Sequence, residues 1–356
     1  MSDIMLNTPY ASPPGTSRAA TAQSRRLVAA WLFSVCFMIW IMVGIGGYTR
    51  DSGSGLSIMD WAPVTGIIPP LTQNAWNRVF ALYQTIPQYR LLHPGMGLAG
   101  FKALFWPEYI HRLWGRLIGL VFFLPLLALI LTRRVERRLI PRLALLFVLG
   151  GLQGAIGWFM VSSGFDPNST AVQPWRLCLH FSFAMVLLAA ILWTALTVLR
   201  PVPARIPGAK RLKITTHIAA TALVLTMLAG TFVSGTHAIS VFNPATGAGM
   251  GAPPPGYPHL GFFTDRAAIL FNHQSLAALT VLAILTTTVM ALRGRVPAPV
   301  RDAGLMIGGL VILQFILGVT ALASKFIDIG VAHQLNAVLL LSAMIYMIHN
   351  LRGATR

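Results

Sequence analysis

Apolar residues fall into eight runs along this chain, and each run is about as long as a helix that crosses a membrane. A bilayer core about 30 Å thick requires about 20 helical residues. The pattern therefore predicts an all-α integral membrane protein with eight transmembrane helices. The predicted helices lie at residues 27–47, 108–131, 139–162, 175–199, 213–234, 268–292, 303–323 and 332–351.

The segments between these helices differ in length and composition. Residues 1–24 are rich in Pro, Ser, Thr and Ala without an apolar period, which predicts a disordered tail. No small-residue cleavage site follows the first apolar run, so we interpret it as a helix and not as a cleaved signal peptide. The loop 48–107 is long and aromatic, and its amphipathic stretches at 75–85 and 98–106 are predicted to lie on the membrane interface. Residues 235–267 are rich in Gly and Pro, which predicts an irregular loop.

Basic residues are concentrated on one side of the predicted membrane. Of the 27 Lys and Arg residues, 18 lie in the N-terminal tail, in the segments 132–142, 200–213 and 293–302, and at the C-terminus. Because short cytoplasmic segments carry an excess of Lys and Arg, both termini are predicted to be cytoplasmic. The net charge of +18 is therefore an orientation signal and not the footprint of a nucleic-acid partner. A hydrophobic content of 55% and a mean hydropathy of +0.69 exclude an ordinary soluble protein.

The two halves of the chain resemble each other. Residues 153–157, QGAIG, match residues 314–318, QFILG, at an offset of 161. Because the repeating unit contains four helices, an even number, its two copies have the same orientation in the membrane. We therefore predict two parallel-repeat four-helix bundles. The N-terminal bundle comprises residues 25–199, a basic cytoplasmic linker comprises 200–213, and the C-terminal bundle comprises 214–356.

Four of the nine histidines occupy equivalent positions in this repeat, two in each half. His111 matches His273, His180 matches His333, and each is predicted in the first two turns of an even-numbered helix, near the outer face. A single histidine in a membrane helix is more often a packing residue than a ligand. Two facing imidazoles inside a helical bundle suit a bis-His haem, whereas zinc usually takes three or four ligands. Small residues follow four positions after each histidine and would leave room for a macrocycle: Gly115, Ala184, Ala277 and Ala337.

The halves differ beside the first histidine of each pair. Glu108 lies three residues before His111, on the same helix face, whereas Leu270 precedes His273. Likewise Arg112 corresponds to Gln274. An ionisable residue at membrane depth is costly and therefore suggests a function. The alternative is a carboxylate in the first turn of a helix, where it is favoured by the helix dipole.

Several motifs of this sequence resemble those of a known family. The stretch 108–119, EYIHRLWGRLIG, is similar to that of haem A synthases of the alphaproteobacterial and mitochondrial type. So are four motifs upstream of it: GYTR at 47–50, SGSGLS at 52–57, DW at 60–61 and PP at 69–70. The resemblance extends from residue 27 over nearly the whole chain. The first outer loop lacks the cysteine pair of Gram-positive members, and the two cysteines present lie in or beside apolar runs far apart in sequence.

The resemblance implies an oxidoreductase of the membrane that oxidises the position-8 methyl group of haem O to a formyl group. The product, haem A, would serve terminal oxidases. His111 and His180 would ligate the substrate haem O, His273 and His333 would ligate a haem b cofactor, and Glu108 would be the catalytic carboxylate. The methyl group would be hydroxylated twice, with water supplying the oxygen, and the resulting diol would lose water.

The resemblance also suggests binding partners and a location. Arg112, with Arg50 and Arg116, would pair with haem propionates, although Arg116 as an interfacial anchor is an equal alternative. Haem O and membrane lipid are the expected partners, with haem O synthase, oxidase assembly factors and a second copy of the chain as further candidates. The expected location is the bacterial inner membrane, with the haem sites near the periplasmic side.

Two other functions remain open from the residues alone. A dihaem cytochrome b that only transfers electrons would also need four histidines, but it gives Glu108 no role. A transporter built from parallel repeats would give the matched histidines no role.

Overall fold

The computed structural model describes residues 22–167, 169–243 and 245–355, and its regular structure is helical. Within these ranges, β-type pairing is confined to two isolated bridges, Ile206–Ala354 and Asn243–Ala248. The α-helices in chain order are α1 Ala22–Asp51, α2 Gln73–Gln84, α3 Pro87–Leu92, α4 Leu98–Leu131, α5 Ile140–Ser162, α6 Pro174–Leu199, α7 Lys210–Gly235, α8 Arg266–Arg293, α9 Ala298–Ser324 and α10 Ile327–Asn350.

Eight of these helices are long and apolar enough to cross a membrane, which confirms the predicted number of spans. The other two, α2 and α3, lie in the first long loop, and α2 covers the predicted amphipathic stretch at 75–85. Helix α1 begins at Ala22, three residues before the predicted start of the N-terminal bundle. The rest of the predicted disordered tail, residues 1–21, lies outside the described residues.

Local sequence explains where several helices begin. The Asp265 carboxylate accepts a hydrogen bond from the backbone N–H of Ala268 (2.9 Å) and caps α8. The Thr72 hydroxyl accepts one from Ala75 and caps α2 in the same way. Helices α5, α6 and α9 have a proline in their first two positions, where the missing N–H leaves no bond unmade.

Helix α4 is ten residues longer at its outer end than the sequence predicts. It begins at Leu98, so Pro107 lies inside the helix and Glu108 lies in its third turn. The interpretation of Glu108 as a first-turn carboxylate is therefore wrong. Residues 98–106, which the sequence predicts as an amphipathic stretch on the membrane interface, are continuous through Pro107 with the predicted membrane helix. His111 accordingly lies in the fourth turn, not in the first two.

An aromatic cluster in the first long loop covers this outer part of α4. Phe101 and Phe105 of α4 pack against Trp76 and Tyr83 of α2. Burial raises the pKa of the Tyr83 phenol, whose oxygen lies 2.7 Å from Nδ1 of His93. The cluster fixes the loop above the outer ends of the membrane helices.

Helix α1 packs against helices of both halves, as does α6, which contacts α7 and α10. Helix α1 contacts α4 and α6 of the first half and α10 of the second. The Trp40 indole N–H donates to the backbone oxygen of Leu335 on α10 (3.0 Å). Gly44 lets the same Leu335 side chain approach, since a Cβ there would lie 3.3 Å from it. Helix α1 is thus held directly against the helix that carries His333.

Candidate functional site

Each of the four predicted histidines lies against a glycine of the preceding transmembrane helix. A Cβ atom added to any of these glycines would lie 2.9–3.2 Å from the imidazole ring, closer than ordinary van der Waals contact. Glycine, whose side chain is a hydrogen atom, therefore allows the imidazole rings to keep their positions. The four contacts are Gly46 with His111, Gly157 with His180, Gly230 with His273, and Gly318 with His333.

The histidines are grouped in the two pairs that the sequence predicts. His111 is close enough to His180 to interact with it electrostatically, and His273 is close enough to His333. All four rings keep part of their surface accessible although they lie among packed helices. Each pair thus has two imidazoles beside space that their neighbours do not fill.

Ring orientation and ligand number both fit a bis-His haem. Nδ1 of His273 donates to the backbone oxygen of Thr226 (3.2 Å), so in the neutral ring the Nε2 lone pair is free for a metal. Within the described ranges, no group of three or more His, Cys, Asp or Glu side chains is placed to hold a metal ion. Two imidazoles complete the coordination of an iron whose other four ligands come from a porphyrin, whereas zinc needs more protein ligands.

In each pair, one glutamine contacts the second histidine. These two glutamines were not assigned to the site from the sequence. The amide nitrogen of Gln153 lies 3.2 Å from Nδ1 of His180, and that of Gln314 lies 3.2 Å from Nδ1 of His333. Asn336 donates to the Gln314 side-chain oxygen (2.7 Å) and orients it. These glutamines and the glycines four residues later form the repeated QxxxG motif. This repeat is the sequence feature from which both glutamines could have been assigned to the site. Gly46 and Gly230 lie in no such motif.

The predicted small residue Gly115 is in a packed environment. A Cβ at Gly115 would lie 3.3 Å from the terminal methyl group of Met42 on α1. Met42 lies one helical turn before Gly46, so His111 and Gly115 both face the same stripe of α1. The close contact between α1 and α4 is therefore built from small residues on both helices.

Glu108 is buried and fully hydrogen-bonded. Its side chain is 3% exposed. One carboxylate oxygen accepts from the backbone N–H (2.7 Å) and the hydroxyl (2.7 Å) of Ser57 and from the N–H of Ile58 (2.9 Å). The other accepts from Nε (3.0 Å) and a terminal nitrogen (2.6 Å) of Arg112. The carboxylate therefore joins the SGSGLS segment to α4 one turn from His111, and its position is fixed from two sides.

Arg112 and Arg116 bind the first outer loop. Besides Glu108, Arg112 donates to the backbone oxygens of Asp60 (2.8 Å) and Ile58 (2.6 Å). Arg116 donates to those of Pro63 (2.8 Å) and Ala62 (2.7 Å). Both arginines hold residues 58–63 against α4. This contact was not anticipated by the prediction that the arginines pair with haem propionates, nor by the alternative that Arg116 is an interfacial anchor.

Arg50 lies at the junction of the two halves. It forms an ion pair with Asp51 (2.5 Å) and donates to the backbone oxygen of Ser234 near the end of α7 (3.0 Å). It therefore joins the outer end of α1 to the second half of the chain.

The second half reproduces the loop contact but not the carboxylate. Gln274, the counterpart of Arg112, donates to the backbone oxygen of Gly249 (2.9 Å) and accepts from the N–H of Gly251 (2.8 Å). It thus fastens the second outer loop as Arg112 fastens the first. Leu270, the counterpart of Glu108, is 3% exposed and packs in an apolar cluster. At these two positions the halves therefore differ by the carboxylate beside His111 and the guanidinium paired with it.

An apolar groove of about 450 Å³ lies between α1, α4 and α10. Ile110 of α4, next to His111, lines one side, and Val331 and Leu335 of α10, on either side of His333, line the other. Tyr48 at its edge is 47% exposed. The groove therefore lies beside the contact of α1 with α4 and α10 and is lined by sequence neighbours of His111 and His333.

Comparison with known proteins gives consistent matches over almost the full chain. The family model COX15-CtaA, described as cytochrome oxidase assembly protein, matches residues 29–345. Heme A synthase 2 of Acidiphilium cryptum is 49% identical over 352 residues, covering 95% of this chain and 95% of that protein. Heme A synthase of Granulibacter bethesdensis is 50% identical over 352 residues, covering 98% of this chain and 94% of that protein. Heme A synthase 1 of Acidiphilium cryptum is 40% identical over 341 residues, 94% of this chain and 95% of that protein.

Proposed function

Because this chain belongs to the COX15-CtaA family of cytochrome oxidase assembly proteins, we propose that it is the membrane oxidoreductase that converts haem O to haem A. The observation that carries this function is the buried Glu108 carboxylate one turn from His111, with Leu270 at the matching place in the other half. A dihaem cytochrome that only transfers electrons also needs four histidines, but it gives no role to a carboxylate in one half.

The two histidine pairs hold two haems with different tasks. His111 and His180 ligate haem O as the substrate, and His273 and His333 ligate haem b as the resident cofactor. The free Nε2 of His273 and the glycine beside each ring support both assignments. Haem b, when bound, supplies a centre that accepts and passes on single electrons.

The overall reaction turns one methyl group into a formyl group. Two hydroxylations consume two water molecules and the diol then releases one, so each methyl group takes up one water and loses four protons and four electrons, which an electron acceptor outside this chain takes up. Glu108 is placed to accept a proton or to stabilise positive charge at the reacting carbon. Arg112, in the substrate half, is a positioning residue, because its two bonds to Glu108 and its bonds to Ile58 and Asp60 fix the carboxylate and the loop together.

The arrangement in the membrane follows the charge pattern. The two four-helix bundles, 25–199 and 214–356, form a parallel repeat with both termini and the linker 200–213 in the cytoplasm. The protein then lies in the bacterial inner membrane, with its haem sites near the periplasmic side. Haem O and lipid are its partners there, together with haem O synthase and oxidase assembly factors, and a homo-oligomer is compatible with this arrangement.

Extraction of the haems from the purified protein tests this function. The expected result is haem b together with haem O, its hydroxylated product or haem A, separated by chromatography of the acid–acetone extract. Such a composition assigns one site to substrate and one to cofactor. Haem b alone in both sites, after expression with a haem O supply, would instead support the electron-transfer cytochrome.

Replacing Gly318 tests the glycine–histidine contacts. Gly318→Ala places a Cβ 2.9 Å from Cε1 of His333 and is expected to displace the ring and lower the haem b content by half or more. Gly309→Ala in the same helix is the matched control, because a Cβ there has nothing within 4 Å. Replacing a glycine by alanine in a helix interior is otherwise favourable by about 1 kcal/mol, so the control should bind haem normally and be at least as stable as the wild type. Equal haem content in the two variants, measured by the pyridine haemochrome spectrum, would show that His333 does not need the glycine.

A further inference from the structure

A second polar cluster lies at the other end of α10, far from the histidine pairs. His349 lies sixteen residues after His333, which is about 24 Å along a helix. Around it are Arg200 at the end of α6, Asn350, and Arg352 after the end of α10. Together they line a cavity of about 310 Å³. The proposed haem reaction gives this cavity no role.

The His349 ring has a hydrogen-bond donor without a partner. The ring is 1% exposed and stacks edge-on against Trp193. Its Nε2 contacts a terminal nitrogen of Arg352, and a guanidinium can only donate, so Nε2 accepts. The neutral ring therefore carries its proton on Nδ1, and this buried nitrogen finds no partner. A buried N–H without an acceptor costs about 1–3 kcal/mol, which adds to the cost of holding this polar cluster together.

The two arginines of the cluster lack a carboxylate partner. Within the described residues, the ion pairs are Arg50–Asp51 and Arg112–Glu108, both at the opposite end of the molecule. Arg200 instead donates to the side-chain oxygen of Asn350 (2.6 Å), and Arg352 donates to the backbone oxygen of Arg200. Both guanidiniums interact electrostatically with His349, and Arg200 also with Arg352. None of the residues that line the cavity is acidic. Like charges are thus held together where a negative group would relieve their repulsion.

The walls of the cavity are rigid and partly apolar. Pro201 and Pro203 line it from the linker, and Pro297 and Pro299 line it from the start of α9. Proline restricts its own φ angle, so the backbone of both segments has less freedom beside the cavity. The linker also carries exposed basic residues, which attract anionic groups to this end of the protein.

We propose that this cavity binds a phosphate group, either in the headgroup of an anionic phospholipid or as free phosphate. Arg200 and Arg352 provide guanidinium donors, which match phosphate oxygens in geometry and charge. Binding at this place ties the linker after α6 to the start of α9 and the end of α10, and so stabilises the end of the protein opposite the haem sites.

Ligand-dependent stabilisation of the full-length protein tests the proposal. The protein, purified with its haems in a neutral detergent, is titrated separately with dioctanoyl phosphatidylglycerol, dioctanoyl phosphatidylcholine and inorganic phosphate, while its melting temperature is followed. We expect phosphatidylglycerol to raise the melting temperature, and the half-saturating concentration to rise at least tenfold in Arg352→Gln. Arg205→Gln is the matched control, because it removes an exposed arginine of the same linker that does not line the cavity.

The outcomes separate the two sources of phosphate. Stabilisation by phosphatidylglycerol alone identifies a lipid headgroup, whereas the same stabilisation by inorganic phosphate identifies a free anion. The proposal is overturned if neither raises the melting temperature of the wild type, if phosphatidylcholine acts as strongly as phosphatidylglycerol, or if Arg205→Gln weakens binding as much as Arg352→Gln. The wild-type titrations decide the matter even if Arg352→Gln does not fold, and Arg352→Lys then provides a variant that keeps the charge.

Discussion

Glu108→Gln is expected to lower the formation of haem A by about 100-fold or more while both haems stay bound, because a positioned acid or base commonly contributes this much to a reaction rate. The substitution keeps the size of the side chain and removes its charge and its ability to take up a proton. Neither is needed for haem ligation, which rests on the histidines. Product formation is measured by chromatography of the extracted haems, and haem content by the pyridine haemochrome spectrum.

A structural role of Glu108 predicts a different set of results. The carboxylate also fastens the first outer loop through Ser57 and Ile58. Ser57→Ala removes one of these bonds but keeps the carboxylate, so it should cost far less activity than Glu108→Gln. Glu136→Gln is the chemical control, since it makes the same change in the basic loop between α4 and α5. Equal losses in Ser57→Ala and Glu108→Gln would show that fastening the loop is the whole contribution, and wild-type product levels in Glu108→Gln would remove Glu108 from the reaction.

His333→Ala is expected to remove the resident haem b and, with it, the formation of haem A. An iron held by two protein ligands loses one of them, and Gln314 and Asn336, which orient the ring, have no ability to replace an imidazole nitrogen. The haem extract should then contain the substrate haem with little haem b. The reverse composition is expected for His111→Ala, in which haem b remains and the substrate haem is lost.

The control for these variants is a histidine outside both pairs. His217 is exposed on α7, and its Nδ1 contacts the backbone oxygen of Lys213 within the same helix (2.7 Å). His217→Ala should therefore leave haem content and product formation unchanged. If His333→Ala and His111→Ala lost the same haem, the assignment of one pair to the cofactor and the other to the substrate would be wrong.

The membrane spans could be predicted from the sequence because the length of an apolar run is a local property. Eight runs of about 20 residues have one simple interpretation in a bilayer, and the structure has eight such helices. The start of α4 was mispredicted for a local reason as well. Pro107 resembles a helix start, and the packing that carries the helix through it comes from residues of α2, distant in sequence.

The site was predictable where it repeats and hidden where it does not. The four histidines stand out because two positions recur in each half, and Glu108 stands out because it breaks the repeat. The bonds from Ser57 and Ile58 to Glu108 join residues about 50 positions apart. Gly46 and Gly230 are ordinary glycines of apolar helices until the fold brings a histidine against each of them.

The contact of α1 with α10 helps to set the distance between the helices that carry His111 and His333. In the proposed function, this distance affects electron transfer. The glycines on α1 bring this one helix against His111 on one side and against Leu335, two residues from His333, on the other. Electron tunnelling slows steeply with every ångström added between two redox centres. A rigid contact of small residues therefore gives one transfer rate, whereas a flexible contact would give a range of rates. In the proposed function, helix α1 would then act as a spacer between the helices that carry one ligand of the substrate haem and one ligand of haem b.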